Sequence, residues 1–105
     1  MTSEDLKSLL TTPEANEMKS VECMSHALEE LNGAKEYVTM AYAMKGHHPD
    51  LASKLREMAR QEMQHGQNFF DMSQNSEQEH GDGYADKVAE YAECRATIKM
   101  MLDSM

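Results

Sequence analysis

The sequence predicts an all-α protein: an antiparallel helical hairpin plus a C-terminal helix, its four-helix bundle completed by dimerisation. Three observations carry this. No segment alternates apolar and polar residues with β-branched enrichment, so strands are not expected. Apolar residues recur at steps of three and four through long stretches that Pro and Gly punctuate. The first two stretches are joined by so short a link that they must run antiparallel.

Residues 1–11 hold a polar start and then Leu6, Leu9 and Leu10, one or two helical turns that dock on the rest. Thr12-Pro13-Glu14 starts a helix, with a hydroxyl N-cap, Pro at the first helical position and an acid in the first turn. Only Gly33 weakens this helix before Lys45-Gly46, a stop signal with a cation for the last carbonyls and a Gly able to take φ > 0. The first helix is therefore expected over about 13–45. His47-His48 form the link, and Pro49-Asp50 open a second helix over about 49–73. The polar, Gly-containing stretch 73–83 is a loop in which Asp82 can cap a third helix, about 84–103. The whole, 1–105, is read as one domain. At about 1.5 Å per residue the first two helices measure roughly 50 and 37 Å. Two long helices and a shorter one cannot wrap an apolar core alone, so a homodimer or higher homo-oligomer is expected.

Composition narrows the function. With 10 Lys plus Arg against 19 Asp plus Glu, the formal charge is -9, and no local basic patch offsets it. Phosphate backbones repel such a chain, which excludes nucleic acid as a partner. No apolar run approaches the roughly 20 residues that span a bilayer, and no signal-peptide pattern opens the chain, so no membrane partner is expected. Two cysteines, Cys23 and Cys94, are too few for a disulfide scaffold and read as reduced thiols of a cytoplasmic protein. The 11 Met fill irregular gaps in helical cores.

Charge on the second helix is more informative. Leu51, Leu55, Met58, Glu62, His65, Phe69 and Met72 fall on one stripe, with Glu62 close to its middle and His65 near its edge. A buried carboxylate without a partner costs several kcal/mol or changes its pKa. Three arrangements satisfy it: a Glu62–His65 pair on a half-wet dimer seam, an ion pair with Arg or Lys (Arg95 being the best candidate), or a metal ion. The first helix favours the metal. Its broad apolar face is Met24, Ala27, Leu28, Leu31, Ala34, Val38, Ala41 and Tyr42, and Glu30 lies on the flank with Cys23, Ala27, Ala34, Tyr37 and Ala41. Small residues around an acid leave room for an ion and let helices approach. Glu30 stands sixteen residues before Gly46 and Glu62 sixteen after it, so an antiparallel hairpin folded there brings them level.

Carboxylates plus one imidazole suit Fe(II), Mn(II) or Zn(II). One chain offers Glu30, Glu62 and His65; two chains related by a two-fold axis offer four Glu and two His, the inventory of a di-iron carboxylate bundle. Glu62 is then the bridging carboxylate, with Glu30 and His65 terminal.

Glu29-Glu30-Leu31, Tyr37 and Ala41, then Pro49-Asp50-Leu51, then Glu62-Met63-Gln64-His65 give roughly residues 22–70 a resemblance to the first helix pair of rubrerythrins and ferritins, in the ferritin-like superfamily. The likeness is strongest to the short encapsulated ferritins, which build a di-iron ferroxidase centre only across a dimer interface. The resemblance implies Glu30, Glu62 and His65 as metal ligands and catalytic residues, two iron ions per dimer interface, and Fe(II) oxidation by O2 or peroxide in iron handling or peroxide defence. Mn or Zn are alternative metals. It matches Tyr37 to a tyrosine near the centre, able to hydrogen-bond a ligand. Met100 to Met105 do not resemble a capsid-targeting tail, so an encapsulin shell is a doubtful partner. Two other classes stay open: a non-catalytic helical dimerisation module using Glu62–His65 as a polar seam, and a redox-inert Zn or Mn protein.

The remaining candidates read as structural. His26 is expected on the surface, His47 and His48 in the turn, and Glu77-Gln78-Glu79-His80 in a solvated loop. Neither cysteine has basic neighbours that would lower its pKa. The third helix shows Tyr84, Val88, Tyr91, Ile98, Leu102 and Met105 on one side, interrupted by Arg95, a docking stripe that either its own hairpin or the partner chain can cover.

Overall fold

A computed structural model of the chain describes residues 20–74 and 83–105. Among the described residues there are three helices and no strand: α1 is Ser20–Met44, α2 is Pro49–Gln74 and α3 is Tyr84–Asp103. The expected helix start at Pro13, the leucines at 6, 9 and 10, and the loop carrying Glu77, Glu79, His80 and Asp82 lie outside the described residues.

The turn between α1 and α2 closes by a route the sequence did not suggest. The N–H groups of His47 and His48 both donate to the Met44 carbonyl, at 3.0 and 2.8 Å. Gly46 does not adopt positive φ, and Lys45 places its ammonium 4.2 Å over the Tyr42 ring instead of on the last carbonyls. Two donors on one carbonyl satisfy the helix end in right-handed geometry, so the left-handed glycine is unnecessary. His48 then accepts the first bond of α2, from the Ala52 N–H at 2.9 Å, and Pro49 needs no partner because it has no N–H. Positive φ occurs at Gly83 (84°), the N-cap of α3, where Asp82 had been the expected cap. A left-handed residue there re-aims the chain into α3 at no Cβ cost.

The hairpin is zipped by small residues. Ser20, Ala27, Ala34 and Ala41 recur every seven residues on α1, and Ala52, Ala59, Gly66 and Ser73 do the same on α2; all eight are buried. The two rows face each other in antiparallel register. Ser20 Oγ donates to the Ser73 carbonyl at 3.0 Å, and the Cα of Gly66 lies against the backbone carbonyl of Ala27. The same register sets Ala34 across from Ala59 and Ala41 across from Ala52. Small side chains at every crossing let the two axes come close, and a seven-residue repeat keeps the contact along the whole length.

This seam corrects the expected core of α2. The buried side is Ala52, Leu55, Ala59, Gly66, Phe69 and Ser73, while Leu51 and Met58 are exposed, at 44% and 40%. Weighting by residue size pointed to the leucine and methionines, but the close approach belongs to alanine and glycine. The face is rotated by one residue, which moves Glu62 from the middle of the buried side to its edge. Tyr42, expected on the inner face of α1, is likewise exposed at 48%.

α3 docks on its own hairpin, on one side of it. Tyr84, Tyr91 and Ile98 join Met24, Leu31, Val38 and Phe69 in one cluster, with Val88, Leu102 and Met105 packed at its margin. Phe70 stacks on Tyr91 with ring centroids 4.9 Å apart, and Gln74 Nε2 donates to the Tyr84 hydroxyl at 2.7 Å. Arg95 lies against Tyr91 of its own helix and does not bridge Glu62. Phe69 is fully buried and stacks on the His26 ring at 5.1 Å. Phe69→Ala is expected to cost about 3–5 kcal/mol, much of the roughly 5–15 kcal/mol that holds a domain folded. Urea unfolding checks this as a large fall in midpoint at unchanged slope. None of the described helices is long and apolar enough to cross a membrane.

Candidate metal centre

Equal distance from the turn does what it promised. Glu30 on α1 and Glu62 and His65 on α2 come together, each offering a ligand atom within 4.8 Å of the others. His65 Nδ1 stands 3.8 Å from Glu30 Oε2 and 3.8 Å from Glu62 Oε1. Glu62 and His65 sit one turn apart on α2 (i, i+3), so the helix itself aligns them. The side chains are 12% (Glu30), 25% (Glu62) and 23% (His65) exposed. The group is thus half sunk, open on the side of the hairpin that α3 leaves uncovered.

Two glycines make the room. A Cβ on Gly66 would stand 3.3 Å from the Ala27 carbonyl and 3.3 Å from Leu31 Cδ2, so a side chain there would have to push α2 back from α1 beside Glu30 by a few tenths of an ångström. A Cβ on Gly33 would stand 3.1 Å from Glu62 Oε2. Neither position was singled out as part of the site by sequence reasoning. The available signal was that a glycine in a helix interior costs about 1 kcal/mol relative to Ala and so calls for a reason.

Electrostatics ties the two carboxylates together. Burial, and then a hydrogen bond to Glu62 and its charge, raise the Glu30 pKa from its ordinary 4.5 to about 7. A proton therefore stays on Glu30 toward neutrality, where it keeps two close carboxylates from repelling. His65 Nδ1 is buried with no hydrogen-bond partner, because both carboxylates are beyond hydrogen-bond reach. A buried imidazole nitrogen aimed between two carboxylates, with no proton bridge to either, fits a divalent ion. Adjacent ligand atoms around an ion with bonds of about 2.1 Å lie roughly 3–3.5 Å apart, so the three atoms need only small movements to close on one.

The other candidates fall elsewhere. Tyr37 is half-buried two turns beyond Glu30, packed against both apolar clusters of the hairpin. His26 is partly exposed, stacked on Phe69 and 3.6 Å from Glu29 Oε2. His47 and His48 are exposed in the turn. Cys23 is buried, and its thiol is raised by burial and by Glu22; Cys94 is raised by burial, which the nearby Lys35 charge opposes and Glu90 reinforces. Neither is an activated nucleophile.

Fold and site together define a class: a ferritin-like helical hairpin with a carboxylate–histidine group of metal-ligand type on its open side. A family model described as Rubrerythrin matches residues 23–104, and the chain belongs to the rubrerythrin family. Comparison with curated proteins and with solved structures returns no match.

Proposed function

We propose that the protein binds a pair of iron ions through Glu30, Glu62 and His65 of two chains and oxidises Fe(II) with O2 or peroxide. The buried, unpartnered Nδ1 of His65 between two carboxylates is the observation that carries the metal reading. Family membership supports iron as the ion. Bound iron supplies one electron per ion, so two ions with two protons reduce one peroxide to two waters.

The chain's own residues divide the remaining work. Glu30 surrenders its proton as the ion enters, so the carboxylate meets the cation charged. His65 presents its buried, unpartnered Nδ1, and Glu62 spans from His65 toward Gly33 across the open side of the group.

One feature supports a second copy over the site. Exposed Leu51 and Met58 lie on the same side of α2 as Glu62 and His65, at spacings of seven, four and three. A two-fold pairing of hairpins covers this apolar strip and brings the two ligand groups together.

The test is anaerobic loading of the metal-free protein with Fe(II), admission of O2 and measurement of ferric absorbance, with Glu62→Ala in parallel. Rapid oxidation in the wild type, lost to the mutant, is the expected result. Equal slow autoxidation in both sinks the ferroxidase reading, and Zn(II) or Mn(II) retained without oxidation identifies a redox-inert site.

A further inference from the structure

Gly33 stands at a point of α1 where helix formation alone argues against glycine, and no turn or positive φ requires one. Its surroundings are specific. The three nearest atoms to a Cβ built there all belong to one side chain, that of Glu62: Oε2 at 3.1 Å, Cδ at 3.8 Å and Cγ at 4.0 Å. Gly66 offers the contrast, since its Cβ would meet the backbone carbonyl of Ala27, the Leu31 side chain and the Cβ of Glu30. Gly66 therefore holds two helices together, whereas the bare Cα of Gly33 faces the end of one flexible carboxylate.

The two oxygens of Glu62 are thereby separated in role. Oε1 is the oxygen 3.8 Å from His65 Nδ1 in the ligand group, and Oε2 rests over the uncovered backbone of Gly33. We propose that Gly33 is a positioning residue: by carrying no side chain it lets the Glu62 carboxylate lie flat across α1 with both oxygens available to metal. With a methyl group at position 33 the carboxylate must pivot by a few tenths of an ångström, and since Oε1 and Oε2 are rigidly joined, the oxygen beside His65 moves as well. This rests on the metal reading above, and it assigns a residue that coordinates nothing.

The consequence separates stability from binding. Ala is the better helix former, and the atom it displaces belongs to a mobile, partly exposed side chain, so Gly33→Ala should raise the thermal midpoint of the metal-free protein. The same substitution should weaken metal binding about tenfold or more, the usual scale for residues that orient a ligand without touching the metal. A glycine needed only for packing behaves in the opposite way, losing stability on substitution.

A double-mutant cycle tests it, with Co(II) as the probe, calorimetry for affinity and the Co(II) visible spectrum for coordination. The four metal-free proteins are wild type, Gly33→Ala, Glu62→Ala and the double variant. The expected result is a midpoint that rises in Gly33→Ala, an affinity that falls about tenfold with an altered Co(II) spectrum, and less than a twofold further loss when Gly33→Ala is added to Glu62→Ala. An unchanged affinity, an equal loss in both backgrounds, or a Gly33→Ala protein that unfolds or melts lower overturns the role of Gly33 while leaving the metal centre standing. A wild type that takes up no Co(II) overturns the metal reading and the role of Gly33 with it.

Discussion

Metal-free Glu30→Gln should be more stable than the wild type at pH 8 by about 2–3 kcal/mol, and indistinguishable from it near pH 4.5. Glu30 binds its proton more tightly folded, with a pKa of about 7, than unfolded, at about 4.5. Where the folded state holds the extra proton, stability falls as pH rises. For this group the fall begins near pH 4.5, continues to about pH 7 and is complete above it. The gap between those values corresponds to at most about 3.4 kcal/mol, which solvent around this partly sunken group lowers to about 2–3 kcal/mol. Gln imitates the protonated acid and carries no such dependence. Urea unfolding at matched protein concentration, with chelator, from pH 4.5 to 8 gives the two curves. A difference that does not change with pH would falsify the assignment. The same substitution should abolish iron binding, so the site is kept at a cost to the fold. Metal uptake below pH 7 should release one proton from this position, visible as affinity rising toward neutrality.

Met58→Asp should abolish Fe(II) oxidation although Glu30, Glu62 and His65 are intact. In a lone chain Met58 is 40% exposed and an acid there is nearly neutral, within about 0.5 kcal/mol. Between two hairpins the same acid is buried without a partner and costs several kcal/mol. Sedimentation at micromolar concentration should therefore show wild-type dimers and folded Met58→Asp monomers, with oxidation in the variant reduced to the uncatalysed rate. A variant that stays dimeric and active places the interface elsewhere, and a wild type that sediments as a folded monomer removes the shared site altogether.

The helix punctuation was legible because Pro and Gly act locally. Pro49 opens α2 and Tyr84 begins α3 where expected, whatever packs around them. The meeting of Glu30 and Glu62 was legible for a geometric reason: in a hairpin, equal distance from the turn means equal height. Which side of α2 faces inward was not. Hydrophobicity ranks Leu51 and Met58 above Ala52 and Ala59, and the difference is settled by how close the partner helix can come, a property of two helices read together. Gly33 and Gly66 were opaque for the same reason, since the atoms each one makes room for belong to residues 29 to 39 positions away. Gly46 misled because a stop signal names a residue type but not the conformation that ends the helix.

The seven-residue row of small side chains has an ambiguity built into it. Because Ala27, Ala34 and Ala41 are alike, and Ala52, Ala59 and Gly66 nearly so, the two helices could slide by one whole repeat and still mesh. Such a slip would carry Glu30 about 10 Å past Glu62, at about 1.5 Å per residue. What selects among the degenerate alignments is the link, where His47 and His48 fasten to the Met44 carbonyl and allow no slack. A backbone staple some 21 Å along the helices from the carboxylates, at the same rise per residue, thus decides whether they meet at all.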